Sequence, residues 1–577
     1  MKQFSKYTIQ FCVFTFLIAT VIKTDAFIYP FLYGAYLQHV LSMGLLAILL
    51  IELLFKNSDK SFDWGASFLI MMWCLYIWTH SFLTSKTEYY YLTYFSNGSI
   101  IIILLAFFLK KQSIQITELF RLLLFFNIII AVQSLLQFAG IWETNSPLFK
   151  ISGSFDNPNT SAMLITLTIP VIFNFYYQYT KARILLVGTL ALDLFALIVL
   201  QCRTAYVGLI IILILYLIKT RKIKSFKLVH GGAFVLLVVT LGAFYHLQNE
   251  KKSSADGRTL IWKITTDMIA QKPISGTGYG FFQKEYNLNL ASYFNEEDRP
   301  LTEKMNAGFT SMAYNEILQQ SAMGGLFGGL IYCLFAGFML YNAWRIRGDN
   351  YSVFVAIVVF FAMSMVNFSF ENPQILFISG VYISIVLSKT SCKYSLLSKP
   401  TSLAITGFMI LFVAMSLPKF EAQKQLSKAQ KHLRQHQFFS ANKILADIES
   451  DISTSEAFFK IQSACLYRTN RPNEALLSLQ KAALYSTNTN LYLNMAGVAE
   501  SLGEKTKAEN YYLLAKNMEP HMYKPMVMLM QFYTRNNSTG NALSIANEII
   551  TLPPKFNTEK VKVYKEMAQQ CINSINK

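Results

Sequence analysis

Charge is scarce in this chain, and that scarcity bounds its class. Of 577 residues only 15% are charged, against 53% hydrophobic. The charge that exists is uneven, with 51 Lys and Arg against 33 Asp and Glu. Strand-period alternation is absent from the apolar runs. That excludes a lipid-spanning β-barrel and leaves helices as the way to satisfy backbone groups in lipid. Cysteine is thin: seven residues, five of them in or beside apolar runs, so no disulfide framework is implied. Cys465 and Cys571 lie far down the polar tail, as a pair in an oxidising compartment or as two buried thiols. Lys23 and Asp25 stand where a small-residue signal-peptidase site would lie, so the first apolar run reads as an uncleaved anchor.

What is present is a succession of apolar runs. A bilayer core of ~30 Å takes about 20 helical residues to cross. Runs of this kind fall at 7–23, 36–55, 64–83, 93–109, 119–141, 160–178, 184–200, 204–218, 228–246, 312–343, 351–370, 374–389 and 402–418, about 13 spans. Basic residues mark every second loop: Lys2 and Lys6; Lys56 and Lys60; Lys110, Lys111 and Arg121; Lys181 and Arg183; the cluster from Lys219 to Lys227; Arg345 and Arg347; Lys389, Lys393 and Lys399. The intervening short loops carry almost none, Lys86 and Lys150 excepted. Short loops rich in Lys and Arg stay cytoplasmic. The N-terminus is therefore expected in the cytoplasm and the C-terminus outside. The +18 net charge is largely this topology signal and does not argue for nucleic acid.

Four parts follow: a membrane half over 1–246, a polar outer loop over 247–311, further spans over 312–418, and a soluble helical tail over 420–577. The tail repeats. Ala441, Ala475, Ala508 and Ala542 recur at 34, 33 and 34 residues. The clearest unit runs Tyr492, Met495, Ala496, Gly503, Ala508, Tyr512, Ala515, Pro520. This resembles the tetratricopeptide repeat, a helix–turn–helix of about 34 residues. Asn470, Gly503 and Asn537 share the inter-helix turn, where a positive φ is often needed. Such a solenoid presents a face for a protein partner.

Candidate chemistry clusters near the outer ends of the spans. Gly153 to Thr160 precedes a span, with Asn159 or Thr160 placed to cap it. Arg203 follows Gln201 and Cys202 at a span end, where a snorkelling residue and a functional charge are both possible. The outer loop carries Asp256–Gly257–Arg258, Trp262, Asp267 and the glycine-rich Lys272 to Phe281. No strand precedes those glycines, so a phosphate-cradling nucleotide loop is disfavoured and a sharp turn expected. Ala313–Tyr314–Asn315–Glu316–Ile317–Leu318–Gln319 enters the next span. Gly324, Gly325, Gly328 and Gly329 follow, at a spacing that suits close helix packing in lipid. Asn295 to Arg299 reads as a solvated charge run, so no metal is expected.

In order and topology these pieces resemble the O-antigen ligase and O-antigen polymerase superfamily, which includes bacterial O-oligosaccharyltransferases. The resemblance covers roughly 1–418. It rests on Gly153 to Pro170 with Phe155, Asn157 and Asn159; on Arg203 with Gly208; on Gly257–Arg258, Trp262, Asp267, Pro273, Gly276–Thr277–Gly278, Phe281 and Tyr286; and on Asn315–Glu316, Leu318–Gln319 and Gly325. It implies an all-α polytopic fold of the type C glycosyltransferase kind, here followed by the tetratricopeptide α-solenoid. It also implies glycan transfer from an undecaprenyl-diphosphate donor, without metal or other cofactor, to a lipid, growing glycan or protein acceptor outside the bacterial plasma membrane. Arg203, Arg258, Tyr314, Asn315 and Glu316 are then the expected catalytic residues, and Asn157, Asn159, Trp262 and Gly278 the substrate-binding ones. Arginine suits bidentate phosphate contacts, and cations must hold the leaving diphosphate as its charge develops.

Two positions depart from the family pattern. Tyr314 stands where ligases of this family usually carry His, and Met323 where an acidic residue is common. A phenol with pKa near 10 is a poor base at neutral pH. Three readings stay open: another outer-face group serves (Glu316, Glu371, Asp256 or His246), the arrangement is polymerase-like, or activity is lost. The competing function is a non-catalytic scaffold that recruits envelope partners through the solenoid. A transporter is disfavoured by the lack of an inverted repeat.

Overall fold

The computed structural model describes residues 67–84, 89–144, 149–220, 252–296, 299–367, 369–390, 417–452, 455–555 and 557–575, with 41–48 and a few isolated positions; 145, 147 and 148 are left out. The expected spans at 7–23, 36–55 and 228–246 lie wholly or largely outside the described residues, as does His246, and that at 402–418 lies partly outside them.

Among the described residues every regular element is helical. Twelve helices form the first part: α1 (Phe68–Leu83), α2 (Tyr89–Lys110), α3 (Ile116–Phe138), α4 (Pro158–Gln178), α5 (Arg183–Leu200), α6 (Arg203–Thr220), α7 (Lys252–Gln271), α8 (Phe282–Glu296), α9 (Leu301–Asn306), α10 (Glu316–Arg345), α11 (Tyr351–Ser364) and α12 (Pro373–Lys389). Nine more follow: α13 (Leu417–Arg434), α14 (Phe438–Ile452), α15 (Glu456–Arg468), α16 (Pro472–Tyr485), α17 (Thr489–Ser501), α18 (Lys505–Met518), α19 (Tyr523–Arg535), α20 (Thr539–Thr551) and α21 (Glu559–Ile575). Among the described residues five segments are long and apolar enough to cross a membrane: Tyr91–Lys110, Ile116–Phe138, Pro158–Gln178, Thr180–Leu200 and Glu316–Arg345. α1, α11 and α12 are shorter apolar helices. This is a multi-pass membrane protein.

α2, α4, α11 and α12 form the buried centre. α2 packs along α12, where Gly98 meets Leu376 and Gly380 meets Ile102, and small residues let the backbones close. Ser384 Oγ donates to Ile102 O at 2.9 Å, and Tyr382 Oη to Leu167 O at 2.7 Å. Gly208 of α6 sits against Thr166 of α4 and Val359 of α11, so α4 and α6 start at the same end of the bundle.

The glycine-rich segment is more than a turn. α10 breaks at Gly325, where φ is 68° and ψ −175°. Residues 273–278 thread into that break. Thr277 N donates to Ala322 O at 2.8 Å, Gly278 N to Met323 O at 2.9 Å, and Leu326 N to Pro273 O at 2.8 Å. The loop thus takes up backbone groups that the kink releases, which is what irregular backbone inside a membrane protein requires. A Cβ at Gly276 would lie 2.4 Å from Met323 O, and one at Gly325 2.1 Å from Ile274 O. The expectation that Gly324, Gly325, Gly328 and Gly329 serve helix-on-helix packing is therefore corrected. Gly324, Gly325 and Gly328 admit an inserted loop and the Tyr279 ring that follows it, because only a residue without Cβ leaves room, while Gly329 faces Ser321 of the same helix.

The tail is an α-solenoid with the tetratricopeptide period. Ala441, Ala475, Ala508 and Ala542 are fully buried where paired helices meet. Asn470, Gly503 and Asn537 have positive φ, as the repeat implies, and His436 adds an earlier turn of the same kind, 34 residues before Asn470. Cys465 and Cys571 are free and buried.

The solenoid rests on the outer-loop helices. α8 packs on α18, and Ala291 joins the solenoid's own apolar core. Gln283 Nε2 donates to Ser486 Oγ at 2.9 Å, Lys284 Nζ to Leu484 O at 3.1 Å, Asn517 Nδ2 to Asn295 Oδ1 at 3.1 Å and Lys555 Nζ to Met305 O at 3.1 Å.

Candidate functional site

Several helix starts converge at one end of the membrane part. Asn157 caps α4, its Oδ1 accepting from Asn159 N at 2.9 Å, with Pro158 preset for the first turn. Asn372 caps α12 in the same Asn–Pro arrangement, accepting from Gln374 N and Ile375 N at 3.1 Å. Its Nδ2 donates to Thr160 Oγ1 at 3.1 Å, which ties these two helix starts together. Asn315 caps α10, accepting from Leu318 N at 3.1 Å. Arg203 is the first residue of α6, after Gln201 in the left-handed conformation and buried Cys202. Helix N-termini carry partial positive charge and favour anions.

Arg258 comes to this end from α7. Its Nη1 donates to Val366 O at 2.6 Å in the turn between α11 and α12. Its guanidinium lies over the Tyr314 ring, 5.2 Å from the centroid. Burial and the neighbouring Arg203 guanidinium hold Arg258 below its ordinary value. Two cations thus stand within electrostatic reach in a partly desolvated place, an arrangement that favours an anion.

The segment 310–320 forms the adjoining wall. Tyr314 adopts φ 53°. Burial raises its phenol, partly offset by Arg258 and a hydrogen bond with Thr310. Trp262 Nε1 donates to Ala313 O at 2.9 Å, and Ala313 N donates to Gln319 Oε1 at 2.6 Å. Glu316 is 2% exposed, with Gln320 Nε2 donating to it at 2.8 Å and the Phe370 backbone also bonded to it. Gln319 Nε2 reaches Glu371 Oε1 at 3.4 Å.

The structure therefore brings Arg203, Arg258 and Tyr314 together, and joins Glu316 to the same wall. Asn157 and Asn315 act as helix caps, and Asn159 follows in the first turn of α4. Trp262 holds the Ala313 carbonyl. Gly278 is buried in the seam with α10 rather than lining the arginine site. Asn372, Thr160, Val366 and Gln319 complete the framework. Asn372 had a legible signal, since Asn372–Pro373 repeats Asn157–Pro158 at the head of an apolar run. Val366 contributes only a carbonyl, which no residue pattern marks.

This geometry defines a polytopic membrane protein with a cationic, helix-capped site at one end of its bundle. Residues 188–333 match the family model described as O-antigen ligase. The chain is similar to that family over this stretch, which includes Arg203, Arg258, Tyr314 and Glu316. No curated protein matches the chain. Among solved structures, the crystal structure of the APC/C hetero-tetramer Cut9–Hcn1 has a chain with 11% identity and a TM-score of 0.22, covering 98% of this chain and 90% of that one. At that TM-score the likeness carries no argument.

Proposed function

We propose that the protein transfers a glycan from a lipid diphosphate, of the undecaprenyl type, to an acceptor hydroxyl on the outer face of the plasma membrane. The observation that carries this reading is the Arg203–Arg258 pair. Like charges held together beside the starts of α4, α6 and α12 suit a diphosphate, which needs at least two cationic contacts as its leaving-group charge grows. The Val366 carbonyl holds one edge of the Arg258 guanidinium and the Tyr314 ring covers a face, so the guanidinium is aimed before substrate arrives. Preorganised donors need no rearrangement in the transition state, which is where their advantage lies.

In this reading the acceptor oxygen attacks the anomeric carbon while the bond to the diphosphate oxygen breaks. Arg203 and Arg258 hold the departing oxyanion. Tyr314 positions Arg258. The alternation of basic loops supports an outer-face site, since it puts 247–311 and the solenoid on one side. The solenoid, bonded to α8 and the turn after α9, stands beside the route by which a large acceptor would approach.

The test is glycan profiling of a deletion strain complemented with wild type or with Arg258→Ala. Unattached or short lipid-linked glycan should accumulate in the deletion, and Arg258→Ala should not relieve it. Unchanged glycans, or full rescue by Arg258→Ala, would remove the transferase reading in favour of a solenoid-bearing scaffold.

A further inference from the structure

Transfer to a hydroxyl leaves a proton to be removed, and the arginines cannot take it. Among the described residues, geometry separates four side chains of the right chemistry on the elements around Arg258. The Tyr314 phenol is hydrogen-bonded with Thr310 and its ring lies under a cation. Glu316 is sealed between Gln320 and the Phe370 backbone, so no substrate reaches it. Asp256 is exposed and two residues from Arg258 on α7, a spacing that points the two side chains apart. Glu371 differs from all three. It is partly exposed, on the turn whose Val366 carbonyl holds Arg258 and whose Asn372 binds Thr160 at the start of α4. Gln319 orients it, donating to Oε1 at 3.4 Å while its own Oε1 is held by Ala313 N at 2.6 Å. Ala313 is in turn fixed by Trp262 and lies next to Tyr314. One chain of hydrogen bonds thus links the carboxylate to the wall that carries the arginine site. Glu316 and Tyr91 lie within electrostatic reach of Glu371.

We propose that Glu371 is the catalytic base that takes the acceptor's proton, an inference that rests on the transfer reading above. The acceptor O–H bond breaks, its proton passes to a Glu371 carboxylate oxygen, and its electron pair forms the new bond to the anomeric carbon. The anomeric C–O bond to the diphosphate breaks, and its electron pair leaves on the lipid diphosphate held by Arg203 and Arg258. Glu371 then returns the proton to water. No oxidant, reductant or metal is required for this balance.

The experiment uses the full-length protein in lipid nanodiscs, with lipid-linked glycan extracted from cells lacking the protein as the probe. Lipid diphosphate release and glycan transfer are followed against pH. Glu371→Gln preserves size and the Gln319 contact, and should lower turnover at least about 100-fold with the donor KM little changed. Glu371→Ala should regain turnover when formate is added, a response that a merely structural residue would not give. Glu371→Asp should keep part of the activity, and it decides the matter if the Gln and Ala forms do not fold. Wild type should lose rate as pH falls and the carboxylate protonates, and Glu371→Gln should lose that limb. If Glu371→Gln stays within about threefold of wild type while Arg258→Ala is inactive, the base assignment is overturned and the transfer reading stands. If Arg258→Ala is also active, the transfer reading fails with it.

Discussion

The membrane part and the solenoid are both helical, yet they are held together in opposite ways. In the solenoid each helix packs mainly on its sequence neighbours, and identical steps recur: a buried Ala, a turn with positive φ, the next helix. In the membrane part the decisive contacts join distant segments. Tyr76 Oη of α1 donates to Gly324 O at 2.5 Å, α2 lies on α12, and the 273–278 loop fills the break in α10. Repeat arrays spread stability over near-identical interfaces. The membrane part concentrates it at a few seams that admit one arrangement.

That contrast is open to direct tests. The largest expected effect is chemical: Arg258→Ala should reduce transfer by about 100-fold or more with the fold retained, whereas removal of the solenoid (420–577) should leave the reacting groups in place and act on acceptor use. Transfer assays on purified protein separate the two, and equal losses would erase the distinction. Next is Gly325→Ala. Its Cβ would meet Ile274 O at 2.1 Å with φ at +68°, so about 3 kcal/mol or more of stability should be lost. Gly503→Ala has φ +77° and nothing within 4 Å, and should cost only about 1 kcal/mol. Thermal unfolding of the two variants measures the difference, and comparable losses would show that the seam is no tighter than a repeat turn.

A smaller effect concerns the junction between the two parts. His521 lies against Gly308 and is hydrogen-bonded with the Ala307 backbone. Burial and then Lys555 lower its pKa from the ordinary 6.5, against the opposing pull of Glu519. A lowered pKa means the docked state binds the proton less well than the undocked one. Docking is therefore complete above pH 6.5 and weakens as pH falls through the lowered value. Hydrogen exchange at 301–310 should rise over that range in wild type and stay flat in His521→Gln. The smallest effect should be favourable: Gly497→Ala, in the middle of α17 with nothing within 4 Å, should stabilise the solenoid by about 0.5–1 kcal/mol.

Legibility from sequence followed the same divide. The repeat period and its positive-φ turns were readable because each unit is local. Only His436 was missed, since His is no usual turn residue. The helix starts at Pro158, Arg203 and Glu316 were within a few residues of expectation because caps and prolines act on their own neighbours. The region 247–311 read as a polar loop with little apolar run length, and its described residues form three helices with an inserted glycine segment. That insertion depends on α10 breaking at Gly325, and nothing local distinguishes a glycine that packs helices from one that opens a helix. Glu371 could be nominated as a substitute for the usual His, but so could Glu316, Asp256 and His246. Burial and the Gln319 contact separated the described three.

Sequence by itself determined the class of the molecule. Apolar run length, basic-loop alternation and a 34-residue period are one-dimensional signals, because lipid thickness, insertion and repeat stacking act along the chain. Tertiary structure alone decided which cations meet, which glutamate is sealed and which is partly exposed, and where the solenoid rests. Those facts depend on side chains more than 40 residues apart sharing one desolvated corner, and no local pattern encodes such a meeting.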